Sequence, residues 1–193
     1  MLKTGLTASV ILSTLVFASP DATAKPNETP HALDGQNSEL EGTVDRELEM
    51  FRNVQVSLQQ ALLIAERLHT GSRVVDISFD GASNPPIYRV KNIQREQIWE
   101  ISIDAKTGSS ISGAKQALSV EGLEPRDRRN LLALKSVRQN LSDAVVVAER
   151  SARGKAISGG LIDEDGTLCF VIVVDTAEGL KQVLLEPPRV RDR

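Results

Sequence analysis

Residues 58–71 read LQQALLIAERLHTG, and residues 141–154 read LSDAVVVAERSARG. The shared pattern A-x-x-x-A-E-R-x-x-x-G recurs at an offset of 83, which makes it the natural place to begin. Leu58, Ala61, Leu62, Ala65 and Leu68 follow the i, i+3, i+4, i+7 spacing of one helix face. The two alanines on that face let the helix lie close to whatever it packs on. Ser57 with Gln60 has the spacing of a capping box, and Asn140 with Asp143 offers the same at the second site. Gly71 and Gly154 fall where a left-handed C-cap would stop each helix.

The repeat extends well beyond the helix. At the same offset Leu48 matches Leu131, Phe51 matches Leu134, Val54 matches Val137 and Val74 matches Ile157. With one residue fewer in a loop, Tyr88 meets Phe170, Val90 meets Ile172, Ile101 meets Val183 and Ile103 meets Leu185. The chain therefore reads as a tandem duplication.

After each helix the hydrophobic period changes to two. Val75, Ile77 and Phe79 alternate with Asp76, Ser78 and Asp80; Tyr88 and Val90 alternate with Arg89 and Lys91; Trp99, Ile101 and Ile103 alternate with Glu100, Ser102 and Asp104. These are half-buried strands, joined by a loop at 80–86 and a short turn at 92–94, and so expected to pair as an antiparallel meander. The predicted class is α+β: two tandem units, each a helix on a three-stranded meander. A unit of about 60 to 70 residues is near the lower limit for independent stability, which stacking two copies would ease. Short helices over 44–52 and 124–137 precede the units, with Pro125 suited to a first turn. The boundaries are 44–113 for the first unit, 114–126 for a linker and 127–193 for the second unit.

The first unit has a further likeness. Residues 56–79 (VSLQQALLIAERLHTGSRVVDISF), 87–91 (IYRVK) and 98–108 (IWEISIDAKTG) resemble the PepSY domain, in which a helix with A-x-x-x-A-E leads to a strand, a Y-x-V strand and a last strand closing on D-A-x-T-G. Here those elements are Ala61, Ala65 and Glu66, then Tyr88 and Val90, then Asp104 to Gly108. The second unit matches in its helix but ends Leu184-Leu185-Glu186-Pro187 in place of that close. PepSY domains occur in propeptides of secreted metallopeptidases, in a regulator of spore-cortex hydrolysis and as small exported proteins. The resemblance implies a non-enzymatic module that binds and restrains peptidases or otherwise acts around the cell.

The N-terminus fits that address. Lys3, an apolar run over 5–18 and Ala22-Thr23-Ala24 have the three parts of a secretory signal, with cleavage after Ala24 and Val16-Phe17-Ala18 as the alternative. The run has about 14 residues, where a bilayer span needs about 20. Residues 1–24 thus read as a signal peptide, 25–43 as a polar, flexible tether, and the location as periplasmic or secreted. Removing the signal takes one base, Lys3, and one acid, Asp21, so the mature chain keeps the net charge of −3. That charge gives no footprint for nucleic acid.

Catalytic chemistry has little to draw on. The two histidines are His31 in the tether and His69 at a helix end, and neither has a partner that would make it the base for a serine nucleophile. No H-E-x-x-H and no Cys/His cluster points to a metal, and no cofactor motif is present. Asp163-Glu164-Asp165-Gly166 starts like a calcium loop, but the apolar run 168–174 follows where the bidentate Glu would stand, so a hairpin turn is expected. Asp104 with Thr107-Gly108 has Asx-turn spacing. Cys169 sits in an apolar strand and reads as a shielded thiol.

The functional expectation is an exported, non-catalytic protein acting through a protein partner, an extracytoplasmic peptidase among them. The alternative is a periplasmic ligand- or metal-sensing accessory module. Glu66, Arg67, Glu149 and Arg150, on the flanks of the two helices, are the candidates for partner binding. The run 170–174, apolar on both faces, calls for a cover from the preceding segment, the first unit, a client or a second subunit, and leaves a homodimer open.

Overall fold

The computed structural model describes residues 33–188. The stretch read as a signal peptide with its two candidate cleavage sites, His31, the first part of the stretch read as a tether and residues 189–193 lie outside them. Helix α1 spans Leu33–Arg52 and α2 spans Leu58–Leu68. Strands β1 (Arg73–Asp80), β2 (Ile87–Gln94), β3 (Gln97–Asp104) and β4 (Ser110–Ser119) follow. A 3-10 turn at Val120–Gly122 leads to α3 (Pro125–Leu134) and α4 (Leu141–Ala152). Strands β5 (Lys155–Glu164), β6 (Thr167–Thr176) and β7 (Gly179–Leu185) complete the α+β fold.

The helix starts are set by local chemistry. At α2 the Gln60 N–H donates to Ser57 Oγ (3.2 Å) and the Ser57 N–H donates to Gln60 Oε1 (2.8 Å), a reciprocal cap for two otherwise orphan donors. At α4 the Asn140 N–H donates to Asp143 Oδ2 (3.0 Å). Leu58, Ala61, Leu62 and Ala65 are buried on α2, as are the equivalent Leu141, Ala144, Val145 and Ala148 on α4. Burying each of the larger side chains contributes roughly 1.5–3 kcal/mol. The alanines let α2 and α4 touch each other as well as the sheet.

The strands form one sheet, not two. Its order is β4-β3-β2-β1-β5-β6-β7, antiparallel at every junction, so the first strands of the two halves pair at the centre. Ile101, Val90, Ile77, Gly159, Ile172 and Val183 stand opposite one another in turn, forming a row from β3 to β7. Directly opposed residues share a face. The next row on the other face runs Ser102, Arg89, Ser78, Ser158, Val173, Gln182 and is mostly polar.

Several expectations are corrected. Helix α1 begins at Leu33, inside the stretch read as tether, and the segment read as linker carries most of a fourth strand, β4. Serine-rich β4 pairs with β3 in a register broken three times, so its weak apolar alternation hid it from the sequence. The turn between β2 and β3 is Arg95-Glu96, both with positive φ (48° and 65°), and not 92–94. The left-handed residue that ends α4 is Arg153 (φ 57°), not Gly154, and α2 ends at His69, ahead of Gly71. Strand β6 is fully buried on one face only: Phe170, Ile172 and Val174 are enclosed, while Val171 and Val173 remain half-exposed beside Ser158, Gln182 and an exposed Leu184.

The leading helices cross the central seam. Helix α1 rests on the end of β1, where Glu47 Oε1 accepts from the Gly81 N–H (3.1 Å) and Phe51 packs edge-on to Phe79 (centroids 5.4 Å apart). Its last residue, Arg52, then reaches Asp175 at the far end of β6. Helix α3 mirrors this: Arg126 donates to the Asp163 carbonyl on β5 (2.8 Å), while Arg73 of β1 donates to the carbonyls of Leu134, Val137 and Gln139 (2.7, 2.9 and 2.8 Å). Each helix is thus held by its own half and by the other.

Candidate functional site

A wide recess of about 760 Å³ opens where α1, α4 and β6 converge. Arg52, Glu149, Arg150, Arg153, Lys155 and Asp175 supply its charged lining. The local fold follows from the end of α4. With Arg153 in the left-handed conformation, the Gly154 N–H turns back to the Glu149 carbonyl (3.2 Å), the six-residue closure of a Schellman end. A Cβ on Gly154 would run into the Asp175 carbonyl oxygen, so only glycine lets β5 leave the helix so close to β6.

The two carboxylates of the recess are already engaged. Glu149 Oε1 accepts from the Ala156 N–H (2.9 Å), tying the helix end to β5. Asp175 accepts two bonds from Arg52, Nε to Oδ2 and Nη2 to Oδ1, both 2.8 Å, in the bidentate geometry suited to a planar guanidinium. Hydrogen bonding and charge attraction from Asp175 raise the Arg52 pKa further above its ordinary value. Arg150, Arg153 and Lys155 are exposed. Cations are favoured at a helix C-terminus, where carbonyl dipoles point outward, which accounts for Arg150 and Arg153 in part.

The first half has a matching recess of about 460 Å³, at Gly71, Arg73, Glu96 and Lys135. Two of its three cations, Arg73 and Lys135, are committed, and the third, Arg95, is exposed on the hairpin turn. Arg73 serves three carbonyls at and beyond the end of α3, with burial lowering its pKa, and Lys135 pairs with Glu96 at 3.1 Å.

The four candidates read from the repeated A-E-R are not brought together. Glu149 and Arg150 line the large recess. Glu66 lies against the first turn of α4, where Ser142 Oγ donates to its Oε1 (3.4 Å), and burial raises its pKa despite that bond. Arg67 is exposed and donates to the Leu63 carbonyl (3.3 Å). Arg52 and Asp175, 123 residues apart, carry no signal of their meeting in the sequence. Arg153 and Lys155 could have been found as part of the basic run R-S-A-R-G-K at 150–155.

Other polar groups serve the fold. Asp165-Gly166 forms the two-residue turn between β5 and β6, with φ of 50° and 80°, and Asp163 Oδ1 accepts from the Gly166 N–H (2.9 Å). Asp104 Oδ1 accepts from the N–H groups of Thr107 and Lys106 (2.9 and 2.7 Å), which lowers its pKa and closes an Asx turn. His69 bonds Gln94 (3.2 Å) and packs edge-on to Trp99. Burial pushes up the pKa of the Cys169 thiol, which disfavours the reactive thiolate. Among the described residues no group of three or more His, Cys, Asp or Glu is placed to hold a metal ion, and no helix is long and apolar enough to cross a membrane.

Residues 55–112 match the family described as "Peptidase propeptide and YPEB domain". This segment is a PepSY domain. The match runs from the residues just before α2 through β3 into β4, so every residue lining the large recess lies outside the PepSY segment, Arg52 just before it and the others after α3. Among solved structures, a candidate lipoprotein from Clostridium difficile 630 is similar at 18% identity and a TM-score of 0.40, covering 72% of this chain and 93% of that one. No curated protein matches the chain.

Proposed function

We propose that this is an exported, non-catalytic protein that acts by contact with another protein outside the cytoplasm, with an extracytoplasmic peptidase as the class of partner. The observation that carries the reading is the large recess: it is wide, open to solvent and lined by charged side chains from four elements, α1, α4, β5 and β6. Such a surface suits another macromolecule better than a small ligand, which would be enclosed by a largely apolar pocket. The PepSY segment supports the choice of partner, since its family description names peptidase propeptides. The second half is proposed as a further, divergent PepSY unit, and the mature chain as periplasmic or secreted after loss of residues 1–24.

The test is proteolysis. Purified mature chain, titrated into the extracytoplasmic peptidase fraction of its own source, is expected to slow hydrolysis of a fluorogenic protein substrate in proportion to its concentration. It is expected to hydrolyse nothing alone. Unchanged proteolysis at large molar excess, with no protein retained by the immobilised chain, would overturn the reading.

A further inference from the structure

We infer that the recess at the end of α4 is a docking site for an acidic peptide segment of a partner, whose carboxylates meet Arg150, Arg153 and Lys155. This rests on the protein-contact reading above and adds the chemistry of what is recognised.

Three observations carry it. First, four cations of the lining, Arg52, Arg150, Arg153 and Lys155, face two carboxylates, of which Asp175 is paired with Arg52 and Glu149 is held to the Ala156 N–H. The recess therefore keeps an excess of positive charge in a chain whose net charge is −3. Secondly, the cations are held in fixed relation by backbone. Arg150 lies in the last turn of α4, Arg153 is the left-handed residue that closes it, and Lys155 opens β5 directly opposite Asp175. A row of cations from a helix end and a strand start matches a run of side chains along an extended peptide, and an open recess leaves the peptide's backbone room to pass through. Thirdly, the molecule contains its own contrast. The matching recess of the first half has the same place in the fold, yet its Arg73 is consumed by backbone carbonyls and its Lys135 by Glu96, which leaves Arg95 on the turn where the second half has Arg150, Arg153 and Lys155. A role confined to capping a helix end would not leave Lys155 on the strand, beyond the helix, without a carboxylate of its own.

The probe is a fluorescently labelled octaglutamate, followed by anisotropy with the mature chain. Saturable binding is expected, weakening several-fold as salt rises from about 20 to 200 mM because exposed charges are screened. Arg150→Glu, Arg153→Glu and Lys155→Glu together are expected to weaken it at least about tenfold, consistent with the cost of placing like charges against a ligand. A control that reverses the same number of charges elsewhere, Lys106→Glu, Lys115→Glu and Arg138→Glu, is expected to bind within about twofold of the parent. Should the triple reversal at the recess melt early, the milder Arg153→Gln, Lys155→Gln pair takes its place. Absence of octaglutamate binding, or equal loss in both triple variants, overturns the proposal. Vesicles rich in phosphatidylglycerol form a second arm: recess-dependent binding to them without octaglutamate binding would make this a membrane-facing surface and also overturn it. A partner peptidase still retained by the triple reversal would leave the protein-contact reading standing while this one falls. Octaglutamate binding without any effect on proteolysis would do the reverse.

Discussion

Glu66 and Glu149 occupy the same position of the repeated phrase and do different work. Glu149 folds back on the Ala156 N–H, a bond that needs the charged or at least accepting oxygen, whereas Glu66 is pressed between two helices with only a 3.4 Å contact to Ser142. Burial raises the Glu66 pKa above the roughly 4.3 of an exposed glutamate. The folded state therefore holds the Glu66 proton more tightly than the unfolded chain. Its contribution to stability is largest below about pH 4 and is lost as pH rises through the raised value. Asp80 runs the opposite way. Burial would raise its pKa, but bonds from Ser83 and the pairing with Arg89 outweigh that and lower it, so its contribution is present above about pH 4 and lost as pH falls through the lowered value. Glu66→Gln removes only the first effect. Melting curves at pH 4 and pH 7 are expected to show the variant gaining on the parent as pH rises; a difference between the two that stays constant or moves in the parent's favour from pH 4 to pH 7 contradicts the assignment.

At the scale of elements, the capping boxes, the buried faces of α2 and α4 and the strands β1 to β3 are readable from residue spacing, because each depends on neighbours within a few positions. The turns are less so. Arg95 and Glu96 hold the left-handed conformation that a two-residue hairpin requires but that asparagine and glycine adopt at far lower cost. Nothing in their identity marks a turn, and the register of β2 against β3 imposes it. The equivalent turn of the second half uses Asp165-Gly166, which is legible at once. Replacing Arg95-Glu96 by Asn-Gly is expected to relieve roughly 1–2 kcal/mol of backbone strain per residue at most. Part of that gain is offset by losing the exposed Glu96–Lys135 pair, worth about 0.5 kcal/mol. A net gain of about 1 kcal/mol corresponds to a melting temperature higher by about 2–4 °C, measurable by calorimetry. A fall in melting temperature would mean that the pair matters more than the strain.

At the scale of the molecule, the seam between β1 and β5 decides the architecture. Two residue pairs, Ile77 with Gly159 and Ser78 with Ser158, join the halves of the sheet, and the leading helices then clasp across them. Gly159 matters because a Cβ there would come within 2.9 Å of Ile172 and 3.5 Å of Leu141, on the face where α2 and α4 meet. Gly159→Val is expected to cost about 2 kcal/mol through overpacking, lowering the melting temperature by about 4–8 °C. Since both halves lean on this seam, the transition is expected to stay single in calorimetry. Two resolved transitions in the parent would show that the halves unfold independently and that the seam is dispensable.

Residue spacing alone determined the α+β class, the starts of α2 and α4 and the alternating strands, since helix faces, caps and pleats are local properties of the chain, while the PepSY character of residues 55–112 was legible as a resemblance of motifs. It also located Glu149 and Arg150, but as members of a repeated motif with no stated neighbours. Tertiary structure decided that the strands form one seven-stranded sheet and that weakly patterned β4 joins its edge. It also brought Arg52 across the seam to Asp175, leaving Arg150, Arg153 and Lys155 around an open recess. These are contacts between residues far apart in sequence, fixed by which hydrophobic faces can be buried together, and no periodicity within either segment encodes them.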